Sequence, residues 1–187
     1  MEGFAPRDGG YASSMSSGEA LLLRQLASEV LVVLDDPGEC AVTPSVLSAL
    51  TETELRREAP RERSLGMLLP PMSADCEDAA RMRALTEDLL RTEKSARLRS
   101  IIADLDSIVH GGADTLIVRP EAVWSWLGAL NDIRLGLAGG LKTFYTTPIK
   151  RLAASEPTGE HSQVVAAIYM LVTWWQDSLL EAVNNPR

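Results

Sequence analysis

Glu87, Arg91 and Lys94, followed by Asn131, Asp132 and Arg134, are the residues whose types and spacing could do chemistry in this chain. A guanidinium presents a planar fork of donors that fits a carboxylate or a phosphate, and an ammonium adds a compact positive charge. Placed on a helical wheel, Leu98, Ile101, Ile102, Leu105 and Val109 form one apolar stripe. Extended backward, the stripe runs into Glu87, Arg91 and Lys94, which lie within roughly 40° of the same line. A face that is core at its carboxyl end is therefore ionic at its amino end. In the following helical stretch Val123, Leu127, Leu130 and Leu137 mark the inward face, with Arg134 among them and Asn131 at the margin. Inward charges need partners: Glu87 stands four residues before Arg91, and Asp132 or Asp88 can supply another carboxylate from the edge. Such a cluster is either a satisfied ion network or a pocket for a ligand or partner.

Other constellations are weaker. Cys76 falls in the first turn of a helix, where the dipole favours a thiolate, but Asp75, Glu77 and Asp78 oppose it. Cys40 follows Asp36 and Glu39, so the two cysteines read as inert thiols or as a redox pair. Neither CxxC nor zinc spacing occurs, and His110 and His161 belong to no HExxH motif. The stretch from Gly136 to Thr143 lacks the second glycine of a P-loop and follows a helix rather than a strand. No catalytic residue, metal or cofactor is expected. Trp124 with Trp126, and Trp174 with Trp175, cannot each place both rings in one narrow core face, so they are candidates for an interface, including that of a homodimer.

The elements that must position these residues are mostly helices. Short extended runs around Asp8-Gly9 make residues 1–15 a β-hairpin. Ser16 and Glu19 form a capping box that opens a helix over 16–36, stopped by Asp35-Asp36-Pro37-Gly38. Residues 43–72 hold short helices, entered at Thr43-Pro44, and a Pro-rich linker. The balanced charges from Glu52 to Arg63 read as a solvated face. A long helical region spans 75–110, a strand 115–118, and helices 120–138 and 160–184, with a loop from Leu141 to Gly159. The expected architecture is a single mainly helical domain over 1–187, a bundle of five to seven helices with a small two- or three-stranded β element.

The 187 residues suffice for one self-standing core. A formal charge of −8 repels phosphate backbones and anionic lipid, which argues against nucleic-acid and membrane partners. The longest uncharged stretch, Ser162 to Gln176, is too short to cross a bilayer. No export signal follows Glu2, Arg7 and Asp8, so the cytoplasm is the expected compartment.

Several segments together resemble the actinobacterial family known as domain of unknown function 2017. They are Gly9-Gly10-Tyr11 before the run from Glu19 to Leu26, Leu85-Thr86-Glu87-Asp88-Leu89-Leu90-Arg91 with Lys94, the run from Trp126 to Leu135, and Trp175 to Leu179. The resemblance implies a small cytoplasmic protein, of a kind often encoded near a protease adaptor and in some cases named an oxidative-stress-responsive regulator. It carries over no catalytic residue, and its recurring polar positions coincide with Glu87, Arg91, Lys94, Asn131 and Arg134. It also lends weight to Cys40 and Cys76 as a redox pair. The expected function is therefore non-enzymatic regulation through a protein partner of the transcription or proteolysis machinery. The alternative is a small-ligand protein or enzyme that holds a carboxylate or phosphate in the inward cluster.

Overall fold

Asp8 and Gly9 turn the chain between two short strands, β1 (Ala5–Arg7) and β2 (Gly10–Ser14), paired antiparallel with Ala5 opposite Ala12. Gly10 is required by close approach: a Cβ there would lie 2.3 Å from the Val118 carbonyl oxygen. That carbonyl belongs to β3 (Thr115–Val118), which pairs antiparallel with the other edge of β2 and gives the order β1-β2-β3. Pro6, which has no N–H to offer a further strand, lies on the edge strand β1. The structure, a computed structural model, describes residues 2–35, 56–140 and 160–185. Of the expected stop Asp35-Asp36-Pro37-Gly38 only Asp35 is described, as the C-cap of the first helix; the helical start at Thr43-Pro44 and the loop from Leu141 to Gly159 lie outside these residues, as does Cys40.

Five α-helices are described. Helix α1 (Ser17–Leu34) opens on the capping box: the Ser16 hydroxyl accepts from the Glu19 N–H, and the Glu19 carboxylate accepts from the Ser16 N–H at 2.8 Å. That backbone donor holds the Glu19 carboxyl below its ordinary value. A short α2 (Arg63–Leu68) follows, then α3 (Cys76–Gly111), whose 36 residues span about 54 Å at 1.5 Å per residue. Asp75 caps α3 by accepting from the Glu77 and Asp78 N–H groups, and Gly112 ends it with φ 69°. A 3₁₀ turn at Pro120–Ala122 leads into α4 (Val123–Ala138), and α5 (Glu160–Asn184) completes the fold.

Helix α1 runs antiparallel along the carboxyl-terminal half of α3, with Arg24 bonded to Asp106 near one end and Asp35 to Ser95 and Arg99 at the other. Between them Leu23, Leu26, Val30 and Leu34 bury with Leu98, Ile101, Leu105 and Ile108 in the core. Ile108 replaces the expected Ile102 and Val109, which are only half-buried, because the buried spacing settles at three, four and three residues. Helix α4 adds Trp126, Leu130, Ile133 and Leu137, and α5 adds Ile168, Val172, Trp175 and Leu179. Each such side chain contributes roughly 1.5–3 kcal/mol on leaving water. Helix α2 lies against the end of α4, so closely that a Cβ on Gly139 would stand 2.4 Å from the Ser64 Cα.

Candidate functional site

Because α1 ends at Leu34, the amino-terminal half of α3 projects beyond it. Among the described residues its inner face meets the chain at Arg57, whose N–H donates to the Ala80 carbonyl of α3, and the segment leaving α2, whose Leu69 carbonyl accepts from Arg83. There the stripe changes from leucine and isoleucine to charge. Glu87, 2% exposed, is the junction. Arg91 donates from Nε and Nη2 to Glu87 Oε1 at 2.9 and 2.8 Å, and from Nη1 to the Leu34 carbonyl at 2.7 Å. Arg83 donates to Glu87 Oε2 at 3.1 Å and to the Leu69 carbonyl at 3.0 Å. Arg57 Nε lies 3.3 Å from Glu87 Oε1, while its Nη1 reaches Asp88 at 2.6 Å and its N–H donates to the Ala80 carbonyl.

The three arginines do two things at once. They neutralise one buried carboxylate, and two of them also carry a donor to the carbonyl that ends a neighbouring helix, Leu34 of α1 and Leu69 of α2. Neither α1 nor α2 has a basic residue in its own last turn, so α3 supplies the positive charge that their dipoles lack. The cavity beside Arg83 and Glu87, walled by Pro70, Pro71 and Met72, has a volume of about 10 Å³, room for at most one water.

The remaining members of the inward cluster go elsewhere. Lys94 pairs with Asp132 of α4, and Arg97 Nη2 lies 3.7 Å from the same carboxylate. The Arg97 guanidinium lies so close over Gly128 that a Cβ there would be 2.5 Å from its Nη1. Asp132 thus supplies a carboxylate to the inward cations, as expected, but to Lys94, and Asp88 goes to Arg57, so Arg134 pairs with neither. It turns instead to α5, donating to Gln176 Oε1 at 2.6 Å and the Tyr169 hydroxyl at 3.2 Å, with its Cζ 5.3 Å from the Tyr169 ring centroid. Gln176 is itself fixed by donating to the Leu127 carbonyl. Among the described residues Arg134 has no carboxylate partner, and its buried Nε has no acceptor. Asn131 is half-buried and takes part in none of these contacts. The other five residues thus fall into three separate sets of contacts rather than one pocket.

Two members of the network were not foreseen. Arg83 was legible, standing four residues before Glu87 as Arg91 stands four after. Arg57 was not: it lies in the charge run expected to be solvated, yet it is buried because Glu87 and Asp88 receive it. A shallow opening of about 400 Å³ at the end of α1 holds Arg91 and Arg99 but also Asp35 and Asp88, which oppose an anion. Among the described residues no group of three His, Cys, Asp or Glu could hold a metal ion.

Trp126 and Trp175 are core residues, each 1% exposed, which removes them from any surface patch. Trp126 donates to Asp104, whereas the buried Trp175 Nε1 has no acceptor among the described residues. Their neighbours Trp124 and Trp174 are exposed. Cys76 is an exposed free thiol at the start of α3.

Residues 1–183 match the family described as Domain of unknown function (DUF2017). The chain belongs to DUF2017. Neither a curated protein nor a solved structure matches it. In this DUF2017 chain no described helix is long and apolar enough to cross a membrane. What the arrangement around Glu87 accomplishes is mechanical: it ties α1, α2 and the chain at Arg57 to one long helix.

Proposed function

We propose that this DUF2017 protein is a non-enzymatic regulator of the cytoplasm that works by binding another protein through its helical surface. The observation that carries this reading is the placement of large apolar side chains in solvent on three helices. Leu85 and Leu89 on α3, Trp124 on α4 and Met170 with Trp174 on α5 are all exposed. Exposed apolar groups of this size mark interaction surfaces when they gather. The charged residues that would otherwise suggest chemistry are consumed by one another around Glu87; the cavity at Arg83 and Glu87 holds at most one water, and the larger opening at Arg91 is also lined by Asp35 and Asp88, which oppose an anion. A partner in the transcription or proteolysis machinery, and a link to oxidative stress, follow from the resemblance of the chain to its family.

The test is affinity purification of the tagged protein from its native host, with and without peroxide, followed by mass spectrometry. Specific proteins that co-purify with the native chain and are lost from a chain carrying Leu85→Ser, Trp124→Ser and Met170→Ser support binding through the exposed groups. Identical sets from the two chains refute it. A set that changes with peroxide supports the stress link and makes Cys40 and Cys76 the next substitutions.

A second reading is favoured by one observation. Arg134 is a half-buried cation without a carboxylate among the described residues, which suits capture of a small carboxylate or phosphate. Titration with phosphate and with citrate, followed through thermal unfolding of the native chain and of Arg134→Gln, tests it. Stabilisation of the native chain alone supports an anion site, and equal behaviour of the two excludes it.

A further inference from the structure

Met82, Leu85 and Leu89 recur at three and four residues along the outward face of α3 and are 45%, 75% and 62% exposed. On the opposite face of the same turns Arg83, Glu87 and Arg91 are buried. A surface helix ordinarily turns its apolar stripe inward and its charges outward. This half of α3 does the reverse. The inward charges are explained by the network that ties down α1 and α2, but nothing in that network calls for leucine on the outside. None of the three belongs to the described core cluster or to the partly buried residues packed against it.

The border of the stripe is acidic. Asp78 lies one turn before Met82, Asp88 adjoins Leu89, and Glu93 lies one turn after it, all three exposed. Three cations stand at this border and each is already engaged, Arg81 by Glu77 and Asp78 at 3.8 and 3.4 Å, Arg56 by Glu77 at 3.6 Å and the buried Arg57 by Asp88 at 2.6 Å; against them stand four carboxylates, Glu77, Asp78, Asp88 and Glu93. Charge also decides against a second copy of this chain. Pairing two α3 stripes antiparallel sets Asp78 of one against Glu93 of the other at both ends, and pairing them parallel sets each carboxylate beside its own counterpart. Like charges so placed oppose association.

We infer that the outward face of α3 between Asp78 and Glu93 is a docking site for a basic amphipathic helix of a partner protein. This rests on the protein-binding reading above and specifies the partner's chemistry. The face from Asp78 to Glu93 covers about 22 Å of helix axis at 1.5 Å per residue, which four turns of a partner helix match, and the apolar stripe occupies about 10 Å at its centre. The partner lays leucine-like residues at i, i+3, i+4 and i+7 against Met82, Leu85 and Leu89, and its flanking lysines or arginines meet Asp78, Asp88 and Glu93.

The probe is a fluorescein-labelled 14-residue peptide of leucine and lysine in that pattern, with a twin carrying glutamate in place of every lysine. Fluorescence anisotropy at about 50 and 300 mM salt should show saturable one-to-one binding of the lysine peptide, weaker at the higher salt, and none of the glutamate twin. Leu85→Ser with Leu89→Ser should weaken it at least tenfold, and Asp78→Asn with Glu93→Gln at least threefold at low salt. In the native chain, amide chemical shifts should move within 78–93, a readout that needs no variant to fold. Equal binding of both peptides, unchanged affinity in the folded Leu85→Ser, Leu89→Ser chain, or shifts centred on Trp124 or Trp174 would overturn the inference. Sedimentation showing a dimer of the native chain that the leucine variant abolishes would overturn it too, in favour of a second copy. If a natural partner co-purifies and is lost with Trp124→Ser but kept with the leucine variant, this site fails while protein binding stands. If no protein co-purifies and no peptide binds, both fail.

Discussion

Glu87→Gln should destabilise the fold through three arginines at once. The carboxylate accepts Arg91 at 2.8 and 2.9 Å and Arg83 at 3.1 Å, with Arg57 at 3.3 Å, and it is 2% exposed. Removing one partner of a buried ion pair costs about 3–5 kcal/mol because the other charge is left desolvated. Here each arginine keeps a second acceptor, namely Leu34 O, Leu69 O or Asp88. The lower end, about 3 kcal/mol, is therefore expected. For a chain of this size each kcal/mol lowers Tm by roughly 2–4 °C, so the expected drop is about 6–12 °C. Calorimetry and urea unfolding monitored by circular dichroism measure it. The loss should persist at high salt, because the pairs are buried and weakly screened. Hydrogen exchange should quicken first at the carboxyl end of α1 and in α2, whose terminal carbonyls the arginines hold. A Tm within about 2 °C of the native value would refute the view of Glu87 as the junction.

Other substitutions separate the remaining interactions. Gly139→Ala should cost about 1–3 kcal/mol, since its Cβ would meet the Ser64 backbone at 2.4 Å; unchanged thermal unfolding would contradict the packing of α2 on α4. Arg134→Met should cost no more than about 1 kcal/mol, because it leaves no buried carboxylate behind; a loss as large as that of Glu87→Gln would mean that an acid had been missed. Ser16→Ala should cost about 1 kcal/mol at neutral pH through the capping box. Because the Glu19 pKa is lowered on folding, its contribution is present above the unfolded carboxylate value and is lost as pH falls through the lower folded value. The difference in urea midpoint between native and Glu19→Gln chains should thus shrink toward pH 3, and a difference independent of pH would exclude the bond.

The helices and their caps were legible because local chemistry writes them. Ser16 with Glu19, Asp75 ahead of α3 and Gly112 behind it are signals that depend on a few neighbouring residues. The hairpin and the third strand were also legible, though that β3 joins β2 with Gly10 against Val118 is a long-range contact. Periodicity likewise revealed that charge enters the inward face at Glu87, Arg91 and Lys94, since a wheel needs only the spacing of residues on one helix.

The Glu87–Arg91 pair was legible from spacing and Asp132 as a source of a carboxylate, but which cation each further acid meets was not, because that depends on where one helix stops beside another. Arg57 reaches Glu87 from a loop, Lys94 reaches Asp132 from the next helix, and Arg134 is left to Gln176 and Tyr169. The sequence determined which faces are apolar and which carry charge. Only the tertiary structure decided that α1 ends early enough for three arginines to close around one carboxylate, and that the same turns of α3 carry their leucines into solvent. A helix fixes the relative direction of its own side chains, whereas what each side chain meets is set by the ends and packing of its neighbours.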